Sequence, residues 1–262
     1  GSGGTGELTS MTDALGSRTQ YLVNSKGWRT AEIDALGQRT DYTHDAQGHV
    51  LTETRWRTDG DGVLRTLVTR KTYDSKGRLT STQTPDGATT TTRYNGIGQP
   101  RETCDALNRC TTYIYDPRGN LTEQHYPDGT VELATFDPNG NLATRTDRGG
   151  RVTRYAYDEA GNKVRQTDAE GRVTTWTYDD RGRMLSRHLP LGQAERFVYD
   201  AAGRRTSHVD FRGRTTGYTF VPGTDRIATI DYATQADVAI AYTPNGQVRE
   251  VTDGNGVTAY TY

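Results

Sequence analysis

A fixed period constrains this chain more than any other feature. Glycines close a recurring motif at positions 6, 27, 48, 77, 98, 119, 140, 161, 182 and 203, stepping by 21 residues except for one step of 29 between 48 and 77. A period of this size means repeated supersecondary units that bury a surface only by stacking on their neighbours. The motif is fullest at Tyr115-Asp116-Pro117-Arg118-Gly119-Asn120-Leu121-Thr122 and at Tyr73-Asp74-Ser75-Lys76-Gly77-Arg78-Leu79-Thr80. Asp137 with Gly140, Asp158 with Gly161, Asp179 with Gly182 and Asp200 with Gly203 hold the same places in other units. Between motifs lies a weaker turn signal, as in Asp34-Ala35-Leu36-Gly37, Asp168-Ala169-Glu170-Gly171 and Thr84-Pro85-Asp86-Gly87. Each unit therefore holds two turns and two short segments.

The residue types explain the turns. An Asp at the first position can accept a backbone N–H two residues on, and a closing Gly tolerates positive φ. Pro85, Pro117, Pro127, Pro138 and Pro190 all fall at the second turn position, where type I turns favour proline. A type I turn followed by a left-handed Gly is a common longer hairpin connection.

The segments between turns read as strands. Arg151-Val152-Thr153-Arg154-Tyr155-Ala156-Tyr157 and Thr174-Thr175-Trp176-Thr177-Tyr178 are rich in Thr and aromatics and alternate in character. No apolar run has helical spacing and helical length. Tyr155 with Tyr157, Trp176 with Tyr178, and Phe197 with Tyr199 lie two apart, so each pair points to one face. Stacked unit on unit, such pairs form an aromatic column roughly 10 Å apart at the usual strand spacing.

Composition matters at one point. Hydrophobic residues make up 32% of the 262-residue chain, and the mean hydropathy is −0.85. Those values alone suit a disordered chain. The net charge of −1 opposes that, because no self-repulsion expands the chain. The polar residues are also largely Thr and Tyr at strand positions, so the expectation is an ordered array with a thin core. The near-equal 32 basic and 33 acidic residues argue against nucleic acid as a partner. No apolar run reaches membrane-spanning length.

The Tyr-Asp-x-x-Gly-Arg/Asn-Leu-Thr runs at 73–80 and 115–122, with their in-phase relatives, resemble the YD repeats of the Rhs/YD-repeat family. The resemblance covers essentially residues 5–262. It implies an all-β fold of tandem hairpins forming one continuous, curled antiparallel sheet, a segment of a spiral shell. It also implies a non-catalytic wall that encloses and helps deliver a toxic C-terminal domain of an exported bacterial protein, secreted or at the cell surface. The implied partners are further repeats of the parent chain and the enclosed domain. The family also includes wall-associated proteins and teneurins, so the alternative is a module binding a cell-surface glycan or protein. The family's conserved core region, self-cleaving aspartyl site and toxin domain have no counterpart in these residues, so neither self-cleavage nor toxicity carries over to them.

Departures from the period define the remaining expectations. Gly1-Ser2-Gly3-Gly4 reads as an expression scar, and the repeat phase is running at Gly6 and still at Tyr262, as in an array cut at both ends. The eight extra residues of the long step straddle Asp59-Gly60-Asp61-Gly62. Divided evenly, they lengthen both arms by an even number, which keeps every side chain on its face. Residues 49–73 are therefore expected to form a long hairpin projecting past its neighbours. Arg55, Trp56 and Arg57 on it are the candidate binding residues, set against a plain reading as solvated charges. From 214 the repeat loosens, with Phe220-Val221-Pro222-Gly223-Thr224 in place of one motif turn.

Cys104 and Cys110 flank the turn Asp105-Ala106-Leu107-Asn108, where a disulfide and two free thiols are both sterically open. The histidines are scattered, and none sits in a metal or nucleophile motif. Asp59-x-Asp61-Gly62 would need Glu at position 70 to resemble a calcium loop and has Arg70 instead. No catalytic residue, metal or cofactor is expected.

Overall fold

The computed structural model describes residues 8–14 and 16–262, so the expected scar at 1–4 lies outside the described residues. The chain divides into two compact units, residues 1–131 and 132–262. The first holds β1 (Leu8–Thr12), β2 (Arg18–Val23), β3 (Arg29–Ile33), β4 (Arg39–His44), β5 (Val50–Thr58), β6 (Leu64–Tyr73), β7 (Leu79–Gln83), β8 (Thr89–Tyr94), β9 (Pro100–Cys104), β10 (Cys110–Tyr115) and β11 (Leu121–His125). The second holds β12 (Val131–Phe136), β13 (Leu142–Thr146), β14 (Val152–Tyr157), β15 (Lys163–Thr167), β16 (Val173–Tyr178), β17 (Met184–His188), β18 (Ala194–Tyr199), β19 (Arg205–Val209), β20 (Thr215–Phe220), β21 (Ile227–Tyr232), β22 (Val238–Tyr242), β23 (Val248–Asp253) and β24 (Gly256–Ala259). Within each unit every strand pairs antiparallel with the next in sequence. The architecture is all-β, a run of tandem hairpins. Among the described residues no helix is long and apolar enough to cross a membrane.

The 21-residue unit is a six-residue strand, a turn, a five-residue strand and a second turn. The unequal strands are reconciled by a bulge. Thr177 pairs with Ser186 and Tyr178 with Met184, so Leu185 is extra opposite the motif tyrosine. The same slip recurs at Tyr73, Tyr94, Tyr115, Tyr157, Tyr199 and Tyr242. A bulge bends the strand and re-aims nearby groups, and a repeated one is a built feature. At the long step, β5 and β6 run nine and ten residues and pair out to Thr58 with Leu64.

The core is thin. Among the described residues the buried hydrophobics are Ala31 and Phe197. Cross-strand pairs do much of the holding. Hydroxyl pairs join Thr43 to Thr52 at 2.6 Å, Thr135 to Thr144 at 2.7 Å, Thr177 to Ser186 at 2.7 Å and Thr219 to Thr229 at 2.6 Å. Each such pair contributes roughly 0.2–1 kcal/mol, so stability is spread along the array instead of concentrated at one centre.

Candidate functional site

The motif turns form the most developed constellation. In each, the closing Gly amide donates to the Asp carbonyl, and the Asp amide donates to the carbonyl of the residue after the Gly. For Asp74 and Gly77 these bonds are both 2.9 Å. The Asp side chain then organises the loop. Asp74 Oδ1 accepts the Lys76 and Arg78 amides at 2.9 and 3.0 Å, while Oδ2 accepts Arg78 Nε at 2.7 Å. Asp179 does the same with Arg183, and Asp200 with Arg204. Asp116, Asp137 and Asp158 use the side-chain amides of Asn120, Asn141 and Asn162, all at 3.0 Å. Gly77, Gly119, Gly140, Gly161, Gly182 and Gly203 all sit at positive φ. At Gly77 a Cβ would also lie 2.6 Å from His49 Nε2 of the preceding motif turn, so side-chain room is missing as well as a tolerant φ.

These contacts set the carboxyl chemistry. The Arg78 side chain, then its amide, hold the Asp74 carboxyl down at about 2. In Asp116 the Asn120 side chain is the leading cause of a lowered value. An aspartate so capped is a fixed acceptor and a poor proton donor at neutral pH.

Where it is Arg or Gln, the residue after the closing Gly also reaches forward. Arg78 Nη1 donates to the Asn95 carbonyl of the next turn at 3.4 Å, Gln99 Nε2 to Gly119 at 2.7 Å, and Arg183 Nη1 to Asp200 at 3.3 Å. The same guanidinium groups lie over the next aromatic ring: Arg78 over Tyr94 at 4.6 Å, Arg183 over Tyr199 at 4.7 Å and Arg204 over Phe220 at 4.5 Å. The tyrosine answers in the opposite direction. Tyr94 donates its hydroxyl to the Leu79 carbonyl at 2.8 Å, Tyr115 to Pro100 at 2.8 Å, Tyr178 to Lys163 at 3.0 Å, Tyr199 to Met184 at 3.0 Å and Tyr242 to Ile227 at 2.9 Å. Each acceptor lies where the register slips on the returning strand of the preceding hairpin. Tyr73 spans the long step and still reaches Val50 at 3.0 Å. The Tyr, Asp, Gly and Arg of the motif thus have distinct jobs: tie back, build the turn, close it, and tie forward; Asn120, Asn141 and Asn162 cap their own aspartates and extend no bond to the next turn among the described residues.

Among the described residues the opposite turns lack the hydroxyl and side-chain-to-carbonyl ties, although Arg187 lies over the Phe211 ring at 4.8 Å. A Cβ at Gly87, Gly129, Gly171, Gly192 or Gly213 would meet nothing within 4 Å. Cys104 and Cys110 lie there, directly opposite one another on β9 and β10, and are joined as a disulfide. Their turn is closed by Asn108 at φ 57°, the positive-φ residue other than glycine among the described residues. Glu102 lies beside them, but sulfurs committed to a disulfide are not thiolate ligands.

Arg55, Trp56 and Arg57 fall on the outer part of β5 and are exposed. The structure does not bring them to the motif turns. Sequence reading missed a cluster on β17–β19. Glu195 is 8% exposed, its Oε1 lies 2.6 Å from Arg187 Nε, and its Oε2 lies 3.4 Å from His208 Nε2. Phe197 stacks on His208 with centroids 4.8 Å apart. The partners meet by register across two turns, Arg187 with Glu195 over residues 189–193 and Phe197 with His208 over 200–204, so no local motif announces them.

The RHS Repeat family matches at residues 24–64, 94–131, 136–172, 164–194 and 178–215, which together cover more than half of the sequence. The chain belongs to the RHS repeat family. It is a structural segment of RHS repeats, and the turns at Asp116, Asp137, Asp158, Asp179 and Asp200 fall within the matched residues. A search of curated proteins returns no match. Among solved structures the RHS segment is similar to TcdB2-TccC3-TEV at 17% identity, over 97% of this chain and 19% of that one, with a TM-score of 0.39. It is also similar to the Tc holotoxin pore of Photorhabdus luminescens at 16% identity, over 94% and 19%, with a TM-score of 0.36. A porin-like protein from Bacteroides uniformis aligns at 13% identity, over 81% and 95%, with a TM-score of 0.28. The segment spans about a fifth, 19%, of the length of the Tc chains it matches.

Proposed function

We propose that this RHS segment is a stretch of wall in a curled repeat shell, enclosing a toxic C-terminal domain of an exported parent protein and helping to deliver it. The observation that carries this reading is the tie between successive motif turns, backward through the Tyr hydroxyl and forward through the Arg or Gln side chain. Such ties make the hairpins that carry them depend on their neighbours. A wall needs that property over many units, whereas a binding module needs a few. The capped aspartates fit the same role, since their carboxylates are occupied by their own turns. The reading assigns no reaction, metal or cofactor to the segment. Its partners are further repeats of the parent chain and the enclosed domain.

Limited proteolysis of the intact parent with its downstream region attached tests the proposal. The downstream region should resist protease while the repeats are whole and be degraded once they are disrupted. Immediate cleavage of that region beside intact repeats would contradict enclosure. A second reading, recognition of a cell-surface glycan, is favoured by Trp56, 40% exposed between Arg55 and Arg57. It requires glycan binding that Trp56→Ala abolishes.

A further inference from the structure

The hairpin of β5 and β6 outruns both neighbours. Pairing of β4 with β5 ends at Thr40 with Arg55, and pairing of β6 with β7 begins at Arg70 with Gln83. Between these limits the hairpin pairs only with itself, out to Thr58 with Leu64. Its tip is well built. Gly62 and Val63 close the turn on Asp59, and Arg65 Nε lies 2.5 Å from Asp59 Oδ2. Residues 64–69, Leu-Arg-Thr-Leu-Val-Thr, thus offer an outer edge with no strand beside it among the described residues.

Exposed edges are usually blunted by Pro, Lys, a bulge or an inward charge. This edge has no Pro, Lys or Gly, and its register is unbroken from Leu64 to Arg70. Its two faces differ. Cross-strand partners share a face, so Arg55, Arg57, Arg65 and Leu67 lie on one side. Trp56, Leu64, Thr66 and Val68 lie on the other. Arg57 stands directly opposite Arg65, a like-charge pair, and such pairs oppose strand pairing unless an anion joins them. Asp59 serves Arg65, while the side chains of Arg55 and Arg57 make no ion pair or hydrogen bond among the described residues. On the other face Leu64 is 64% and Trp56 40% exposed.

We infer that the 64–69 edge is a docking strand for an extended polypeptide segment that alternates acidic and apolar residues. Added antiparallel or parallel, such a segment places its acidic side chains by the arginine face and its apolar ones by Trp56, Leu64 and Val68. Main-chain hydrogen bonds supply the affinity and the two faces the selectivity. This goes beyond a wall role, because it assigns the hairpin a polypeptide partner of stated chemistry.

The test uses the full chain and a capped octapeptide of alternating Glu and Val. Binding is followed by anisotropy of the labelled peptide, and its place by hydrogen exchange at residues 64–69. The Glu-Val peptide should bind, slow exchange at 64–69, and outcompete a Lys-Val peptide by at least about tenfold. The double variant R55E/R57E should invert that order. A Glu-Val peptide N-methylated at every residue should lose binding, because neither of its edges can then donate to the 64–69 strand. Equal affinity for the two peptides, protection elsewhere than 64–69, or undiminished binding of the N-methylated peptide would each overturn the proposal. So would binding of a sulfated oligosaccharide with none of the Glu-Val peptide, or self-association that protects 64–69 before peptide is added.

Discussion

The two rows of turns in each unit are built from nearly the same local chemistry and do different work. On both, an Asp carboxylate commonly gathers the backbone of its own loop and a Gly closes it at positive φ. Asp74 on the motif row and Asp210 on the opposite row are even held at the same value, about 2. The difference lies beyond the turn itself. On the motif row, Arg183 caps Asp179 and continues to the Asp200 carbonyl and the Tyr199 ring. On the opposite row, Arg214 caps Asp210 through Nε and Nη2 and extends no bond to the next turn among the described residues. Turn sequence alone therefore makes a hairpin. In the array many motif turns add to this an aromatic residue, and several a long donor, at set distances from the turn.

Removing the tie should produce the largest contrast. Tyr199→Ala deletes the hydroxyl bond, the cation–π contact and half-buried ring area, and should cost about 3 kcal/mol in local opening energy. Arg212→Ala on the opposite row should cost almost nothing, because it is an exposed turn side chain. Hydrogen exchange reads both, and equal effects would break the comparison. Next comes the exception on the opposite row. Replacing both Cys104 and Cys110 by Ser should cost about 2 kcal/mol by freeing the unfolded loop. The loss should be read in the exchange of β9–β10, where Asn108 stands in for glycine.

Glycine substitution sharpens the contrast further. Gly77→Ala and Gly87→Ala both force Ala to positive φ, at about 1–2 kcal/mol. The first should cost about 1 kcal/mol more, because His49 must also move. Thermal unfolding of the pair checks the difference. Tyr199→Phe, which keeps the ring and removes only the hydroxyl, should cost about 1 kcal/mol or less.

Acid should not distinguish the rows. Asp74 and Asp210 titrate at about 2 in the folded chain against an ordinary 3.8. Below the ordinary value the unfolded chain binds protons first, so the caps contribute fully above it and are lost as pH falls towards 2. Exchange measured down that range should show both rows loosening together, and loss at one row alone would contradict the shared cap geometry.

Much of this was legible in the residues. Asp-x-x-Gly at a fixed step, with Thr and Tyr between, specified antiparallel hairpins and the turn that joins them. The +4 partner was visible as the Arg or Asn of the motif, but its second reach, into the next unit, was not. The tyrosine's backward tie was hidden too, because it depends on a bulge exposing a carbonyl such as that of Met184 to Tyr199, and a register slip leaves no mark in composition. The aromatic column expected from paired tyrosines has cations over its rings, with Arg78 and Arg183 over the next unit's tyrosine. The Glu195, Arg187 and His208 cluster was hidden for the same reason, since its members meet across strands. Arg55, Trp56 and Arg57 are candidates from their type and their place on the long hairpin, whereas the free edge beside them is set by where neighbouring strands stop.

The central claim is that motif tyrosines such as Tyr199 fasten their hairpin to the one before it. Hydrogen exchange of Tyr199→Ala beside Gly192→Ala tests it most directly, since Tyr199 ties back to Met184 and a Cβ at Gly192 meets nothing within 4 Å. Tyr199→Ala should speed exchange through its own hairpin, β18–β19, and through the preceding one, β16–β17. Gly192→Ala should act only around residues 189–193. If the Tyr199→Ala effect stopped at β18 and β19, the hairpins would be independent and the account of a fastened wall would fail.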